Sequence, residues 1–255
     1  MTSLFSAWAL LKVTDQSRMA NSYFKFKKFT VHQEHAPFKI TTDSVLLGAW
    51  AQLTGAGNVL DIGTGTGILA LMAAQRSEAQ IVAIEPDPGA FMQAGLNISD
   101  SPWHERITLI NTRVQDYLAD EGLFFDAVIT NPPFFVDSLP NPDPGKAMAR
   151  HSLTLSFREL LEAILRLTTP SGELHLVLPV NEATLFIQMA ASLGFYCNRK
   201  LIVKPTPEIS PSRVLMTLGF SQGNVEESTM VIEKGGRHNY SDEYVSLTKD
   251  FYLKF

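Results

Sequence analysis

The chain is predicted to fold as an α/β domain of the Rossmann-like, doubly wound kind, mostly parallel, with an antiparallel hairpin at its C-terminal end. Three observations predict it. Short apolar runs of strand length alternate with longer stretches of helix formers. The runs are apolar throughout, without a polar residue at every second position. The first run leads directly into a glycine-rich turn. A strand that is apolar on both faces is one covered by helices on both sides, as parallel sheets require.

Asn58–Ile62 (NVLDI) opens the series as a strand, and Ile68–Gln75 (ILALMAAQ) follows as a helix. Gln80–Glu85 (QIVAIE) is the second strand. Pro88 suits a first helical turn, where its fixed φ is already helical and its missing N–H has no partner to lose; the helix continues through AFMQAGLNI. Arg106–Ile110 (RITLI) and Phe124–Ile129 are the third and fourth strands. Ser156 can cap the helix FRELLEAILRL. Glu173–Leu178 (ELHLVL) is the fifth strand, and EATLFIQMAASL is a helix that Gly194 ends. Phe195–Val203 and Arg213–Phe220 are read as the last two strands. The Pro-rich turn between them is too short for a helical crossover, so they pair antiparallel. The segment from Phe134 to Leu155, with Pro140, Pro142 and Pro144, is a long irregular connection beside a strand end and is read as a substrate lid.

Bulk properties limit the function classes. The 255 residues are 45% hydrophobic and 18% charged, an ordinary globular composition. With a net charge of −5, any nucleic-acid binding must come from a local basic patch. The single cysteine, Cys197, excludes a disulfide framework and points to a reducing cytoplasm. No apolar stretch approaches the roughly 20 residues that span a bilayer. No His/Cys spacing suggests a metal, and none is expected. Residues 1–18 carry a short apolar run with no basic residues before it, so they are read as a dispensable leader ahead of Met19. A single domain is expected over 19–255.

In VLDIGTGTGILALMAA, Gly63, Gly65 and Gly67 remove side chains where a ligand would approach the backbone at the start of a helix. The spacing is G-x-G-x-G, not the dinucleotide G-x-G-x-x-G. Asp61 stands before the turn at a strand's carboxyl end, and Glu85 ends the next strand. A carboxylate at Glu85 is placed to accept from both ribose hydroxyls of a nucleoside. Asp61 would repel a pyrophosphate but suits an ammonium and a sulfonium. The pair favours S-adenosylmethionine over NAD as cofactor.

TNPPFF follows the fourth strand, on the same carboxyl edge as the glycine turn. Proline rings at Pro132 and Pro133 stiffen the backbone and fix where its carbonyls point. An exocyclic amino group is a poor nucleophile because its lone pair is delocalised. The Asn131 side-chain oxygen and the Pro132 carbonyl can accept its two N–H bonds, while Phe134 offers a flat face for stacking a planar group.

D-x-G-x-G-x-G after strand one, paired with N-P-P-F after strand four, resembles Rossmann-like methyltransferases that act on amino or amide nitrogen. KITTDSVLLGAWA (Lys39–Ala51), LDIGTGTGILALMAAQR (Leu60–Arg76), NISDSPWHERI (Asn97–Ile107), ITNPPFF (Ile129–Phe135) and HNYSDEYVSLTKDFYLKF (His238–Phe255) resemble the bacterial tRNA(Val) adenine N6-methyltransferase family, across nearly all of Asn21 to Phe255. The first and last of these segments separate it from the release-factor glutamine methyltransferases, which share NPP[FY]. Phe134 stands where the family often has Tyr. The resemblance implies methyl transfer from S-adenosylmethionine to the adenine 3′ to the anticodon, position 37, of a valine tRNA. It also implies Thr42 and Asp43 near the cofactor mouth and Asp116 near the cofactor's adenine. Asp116 has a competing reading as a helix-start residue. Asn111 is a lesser candidate at the end of strand three.

In FKFKKF (Phe24–Phe29), Phe24 and Phe26 would share one face of a strand and Lys25 and Lys27 the other. This is either a phosphate-contacting edge with stacking partners, Lys28 included, or an edge strand guarded by lysines. Phe135 is a further candidate for RNA contact; Lys146, Arg150 and His151 in the lid either contact backbone phosphates or are simply solvated, with His151 taken alone read as structural. A protein-glutamine or DNA-adenine methyltransferase, or a non-catalytic RNA-binding module, stays open on the residues alone.

Overall fold

The structure is a computed structural model and describes residues 22–132 and 155–255. Eight strands form the central sheet: β3 (Asn58–Ile62), β4 (Gln80–Ile84), β5 (Ile107–Ile110), β6 (Phe125–Thr130), β7 (Thr168–Pro179), β8 (Tyr196–Lys204), β9 (Arg213–Gly219) and β10 (Glu226–Val231). Their spatial order is β10-β8-β9-β7-β6-β3-β4-β5. Every neighbouring pair is parallel except the two made by β9, which runs against both β7 and β8. The doubly wound prediction therefore holds, and β8 and β9 form the predicted antiparallel hairpin. A two-stranded ribbon, β1 (Tyr23–Lys25) with β2 (Thr30–His32), stands apart from this sheet.

The helices are α1 (Thr42–Trp50), α2 (Ile68–Arg76), α3 (Pro88–Ser99), α4 (Phe157–Leu167), α5 (Val180–Ser192) and α6 (Asp242–Thr248). Their starts follow the local chemistry. Asp87 caps α3 by accepting from the Ala90 N–H, with Pro88 behind it. Ser156 and Glu159 form a reciprocal capping box on α4.

Alternate residues of β3 feed two cores. Val59 joins the cluster with α1 and α2 (Val45, Leu47, Leu69, Met72), and Leu60 joins the cluster with α4 and α5 (Leu161, Ile164, Phe186). Both faces of the strand are therefore dry, which is why it reads as apolar throughout. Gly48 lets α1 close on α2, since a Cβ there would lie 2.6 Å from Met72 Sδ. Arg76 donates to the Gly48 and Ala51 carbonyls at 2.8 and 2.7 Å, closing the C-terminal end of α1.

Besides β2, α1 and α6, which the sequence reading did not assign, three elements depart from it. β10 follows the hairpin that was expected to end the sheet; its sequence EESTMV is polar because it is an edge strand whose first four residues are exposed on both faces. β7 begins at Thr168, well before Glu173, and absorbs the extra length in a register shift opposite Phe125 and Ala127. β1 stops at Lys25, and Phe26 is buried, 1% exposed, stacked on Phe29 and Tyr252. Among the described residues, no helix is long and apolar enough to cross a membrane.

Candidate active site

The carboxyl ends of β3, β4, β6 and β7 share one rim, and the candidate residues gather there. After β3 the chain turns through Gly63 (φ 69°), Gly65 (φ 59°) and Gly67 (φ 85°), left-handed conformations in which a side chain is strained. The Gly63 and Thr64 N–H groups donate to the Ile84 carbonyl at 2.9 and 3.1 Å, which pins the turn to β4. A Cβ at Gly63 or Gly65 would meet nothing within 4 Å, so that side of the turn faces open space.

Asp61 is fully buried beneath this turn. Its Oδ2 accepts from Thr64 Oγ1 at 2.5 Å and from the Ala70 N–H at 3.0 Å, so half of the carboxylate holds the turn onto the first turn of α2. Its Oδ1 is buried and has no hydrogen-bond partner. Burial, with a smaller push from Glu85, drives its carboxyl up to about 7 against the pull of those two donors. Glu85, also buried, accepts from the Gly65 N–H at 2.8 Å through Oε2 and from the Asp87 N–H at 2.9 Å through Oε1. Burial raises its pKa as well. Among the described residues, no cationic side chain bridges either carboxylate. Two buried acids, one unpaired oxygen and an open glycine cradle fit a ligand that brings positive charge and hydroxyl donors, as S-adenosylmethionine does.

Asn131 leaves β6 next to this turn. Thr130 pairs in register with Ile62, and Thr130 Oγ1 donates to the Ile62 carbonyl at 2.9 Å. Asn131 and Gly63 therefore stand on adjacent strand ends, about 5 Å apart by sheet spacing. Asn131 Nδ2 donates to Ser44 Oγ at 2.9 Å, and among the described residues its Oδ1 has no hydrogen-bond partner. Pro132 is buried directly after it.

Residues 27–178 match the family model described as methyltransferase small domain. The chain is 42% identical over 236 residues to a tRNA1(Val) (adenine(37)-N6)-methyltransferase of Parabacteroides distasonis, covering 92% of this chain and 100% of that one. A protein of the same name from Trichodesmium erythraeum is 39% identical over 240 residues, 93% and 100% of the two chains. This chain belongs to the tRNA1(Val) (adenine(37)-N6)-methyltransferase family. Among solved structures, a predicted O-methyltransferase of Agrobacterium tumefaciens superposes with a TM-score of 0.61 at 18% identity, over 82% of this chain and 96% of that one. P. horikoshii TYW2 in complex with MeSAdo gives 0.54 at 16% identity, over 80% and 74%. At those identities the likeness is one of fold.

The family's remaining expected residues fall into three groups. Thr42 is exposed at the start of α1 on the rim, and Asp43 beside it is ion-paired to Arg213 at 2.7 Å. Asp116 is exposed and held by Arg113 at 2.8 Å; that hydrogen bond, with the charge behind it, keeps its pKa below the usual carboxylate range. It follows β5, the edge strand beside β4. Asn111 follows the last residue of β5 and donates to the Glu85 carbonyl at 2.7 Å, joining the β4 and β5 ends.

The second group has intramolecular partners in the structure. The Lys27 ammonium, expected on a phosphate, donates to the Lys249 and Phe255 carbonyls at 2.6 and 2.7 Å, clasping the chain's C-terminal segment. Phe24 and Phe26, expected as stacking partners, pack against each other and Tyr252 in the core. Lys25 and Lys28 are exposed. The third group, Pro133, Phe134, Phe135, Lys146, Arg150 and His151, lies outside the described residues, as does the leader.

Sequence reasoning gave no role to Ser44 or Asn97. Asn97 is buried and accepts from the His32 N–H while donating to the His32 and Thr66 carbonyls, each at 2.8 Å, which fastens β2 to the glycine turn. The available signal was its place in NISD, inside a helix, where a buried Asn must find partners.

Proposed function

We propose that this chain transfers a methyl group from S-adenosylmethionine to N6 of adenine 37 in a valine tRNA. One observation carries the reading: Asn131, with its amide nitrogen held and its oxygen without a partner among the described residues, stands one strand away from a buried-acid, glycine-lined cradle. When bound, S-adenosylmethionine supplies an electrophilic methyl group on a sulfonium.

Asp61, Gly63, Gly65, Gly67 and Glu85 form the cofactor cradle, with Asp61 Oδ1 facing positive charge and Glu85 facing the ribose hydroxyls. Thr42 and Asp43 border its mouth, Asp116 its adenine end. Asn131 Oδ1 and the Pro132 carbonyl accept the two N–H bonds of the target amine, which orients its nitrogen and raises electron density there. Pro133 stiffens that strand end, and Phe134 stacks on the flipped-out adenine. No strong side-chain base is required, because the methylated nitrogen is acidic enough to lose its proton to water. Lys25, Lys28, Phe135, Lys146 and Arg150 supply contacts to the anticodon loop. The chain works in the cytoplasm, where its RNA substrate is. Incubating the protein with labelled S-adenosylmethionine and unmodified valine tRNA tests this, read as N6-methyladenosine at position 37.

A further inference from the structure

A carboxamide has unlike ends, since one side accepts hydrogen bonds and the other only donates. For Asn131 to accept from a target amine, its oxygen must face the substrate. A half-turn about its last side-chain bond would keep its shape and present N–H to N–H instead. Something must select the correct face.

Ser44, in the first turn of α1, holds the Asn131 nitrogen at 2.9 Å. A serine hydroxyl alone does not select, because it could equally donate to the oxygen of a turned amide. Thr41 supplies the selection. As the N-cap of α1, its Oγ1 accepts the Ser44 N–H at 3.3 Å and lies 3.4 Å from Ser44 Oγ. Either hydroxyl of this pair could donate, and among the described residues Thr41 Oγ1 is the group besides Asn131 within hydrogen-bond reach of the Ser44 hydroxyl; the selection requires that Ser44 is the donor. With that proton drawn toward Thr41, the Ser44 oxygen presents lone pairs to Asn131 and favours its N–H side. Ser44 is 8% exposed, so water competes poorly.

We infer that Thr41 and Ser44 form a positioning relay that fixes the productive face of the Asn131 amide. This rests on the reading of Asn131 above, and it makes the α1 cap part of the reaction geometry.

The test compares kcat, tRNA KM and cofactor affinity for single and paired variants. Ser44→Ala lowers kcat about 10–100-fold, the scale on which small misplacements act, and leaves cofactor affinity within about threefold. Asn131→Asp removes the need for selection, because both carboxylate oxygens accept. In that background, adding Ser44→Ala costs less than about threefold, a coupling that independent sites would not give. Equal factors in both backgrounds would mean Ser44 serves only the fold and would overturn the inference. If Asn131→Asp turns over too slowly to measure, Thr41→Val decides: kcat drops severalfold at unchanged cofactor affinity, Thr41→Ser recovers most of it, and an unchanged kcat in Thr41→Val overturns the relay. Asn131→Ala in the same assay separates the two levels. If it turns over normally, the reading of the site fails. If it is inactive while Ser44→Ala is unimpaired, only the relay fails.

Discussion

Arg213 Nε donates to Asp43 Oδ2 at 2.7 Å, tying the first residue of β9 to the first turn of α1. Arg213 pairs in register with Pro179 at the end of β7, so the ion pair clamps α1 and its Ser44 against the sheet rim. With 32% and 18% of the two side chains exposed, the pair is only partly screened. Asp43→Ala is expected to cost about 1–2 kcal/mol, between the values for exposed and buried pairs. Urea denaturation measures it, and an unshifted midpoint would show that the clamp contributes nothing.

Asp61→Asn separates the two halves of that carboxylate. The Asn oxygen can keep the Thr64 and Ala70 donors, while the unpartnered edge becomes an N–H donor. The fold is expected to survive and cofactor affinity to fall at least about tenfold, the scale of one lost charge-assisted contact. Calorimetric titration beside a melting curve checks both; undiminished affinity would remove Asp61 from the cofactor site.

The same carboxyl predicts a pH effect. Its folded pKa of about 7 lies above the ordinary value of 3.8, so the fold favours the protonated form. This group's contribution to the stability of the free protein declines as pH rises from 3.8 toward about 7. A cationic ligand favours the ionised form. Binding near neutral pH should therefore release a proton from Asp61, and affinity should weaken as pH falls below about 7. Titrations in buffers of different ionisation heat read that proton, and heats independent of buffer would contradict the assignment.

Gly65→Ala adds a methyl group where the backbone has φ 59° and no protein atom lies within 4 Å. The strain costs about 1–2 kcal/mol of stability. The methyl group stands on the cradle's open side, so cofactor affinity should fall far more than the melting temperature implies. Parallel losses in both would make the glycine turn a purely structural device.

The three lysines of FKFKKF should behave differently. Lys27→Met removes two carbonyl contacts at the C-terminal segment and should lower the melting temperature. Lys25→Gln with Lys28→Gln should spare stability and raise the tRNA KM severalfold, more at low salt. A stability loss from the second pair, or a tRNA effect confined to Lys27, would reverse these roles.

The central strands of the parallel sheet were legible because they are buried on both faces, and the glycine turn because its left-handed backbone positions favour glycine. β10 was not, because Glu226 and Glu227 sit on an outer edge, where a polar strand reads as loop. Phe26 misled because alternating aromatics and lysines look alike on a core edge and on a stacking platform; Tyr252, docking from the far end of the chain, decides between them. Ser44 was invisible for the same reason: its partner Asn131 is brought to it only by the fold.

The most direct measurement is mass spectrometry of nucleosides from unmodified valine tRNA after incubation with the protein and S-adenosylmethionine, for the native chain and Asn131→Ala. The account predicts N6-methyladenosine at position 37 with the native chain and its loss in the variant, with cofactor binding within a few-fold in both. Methylation at another position, on protein or on DNA, or an undiminished product from Asn131→Ala, would contradict it.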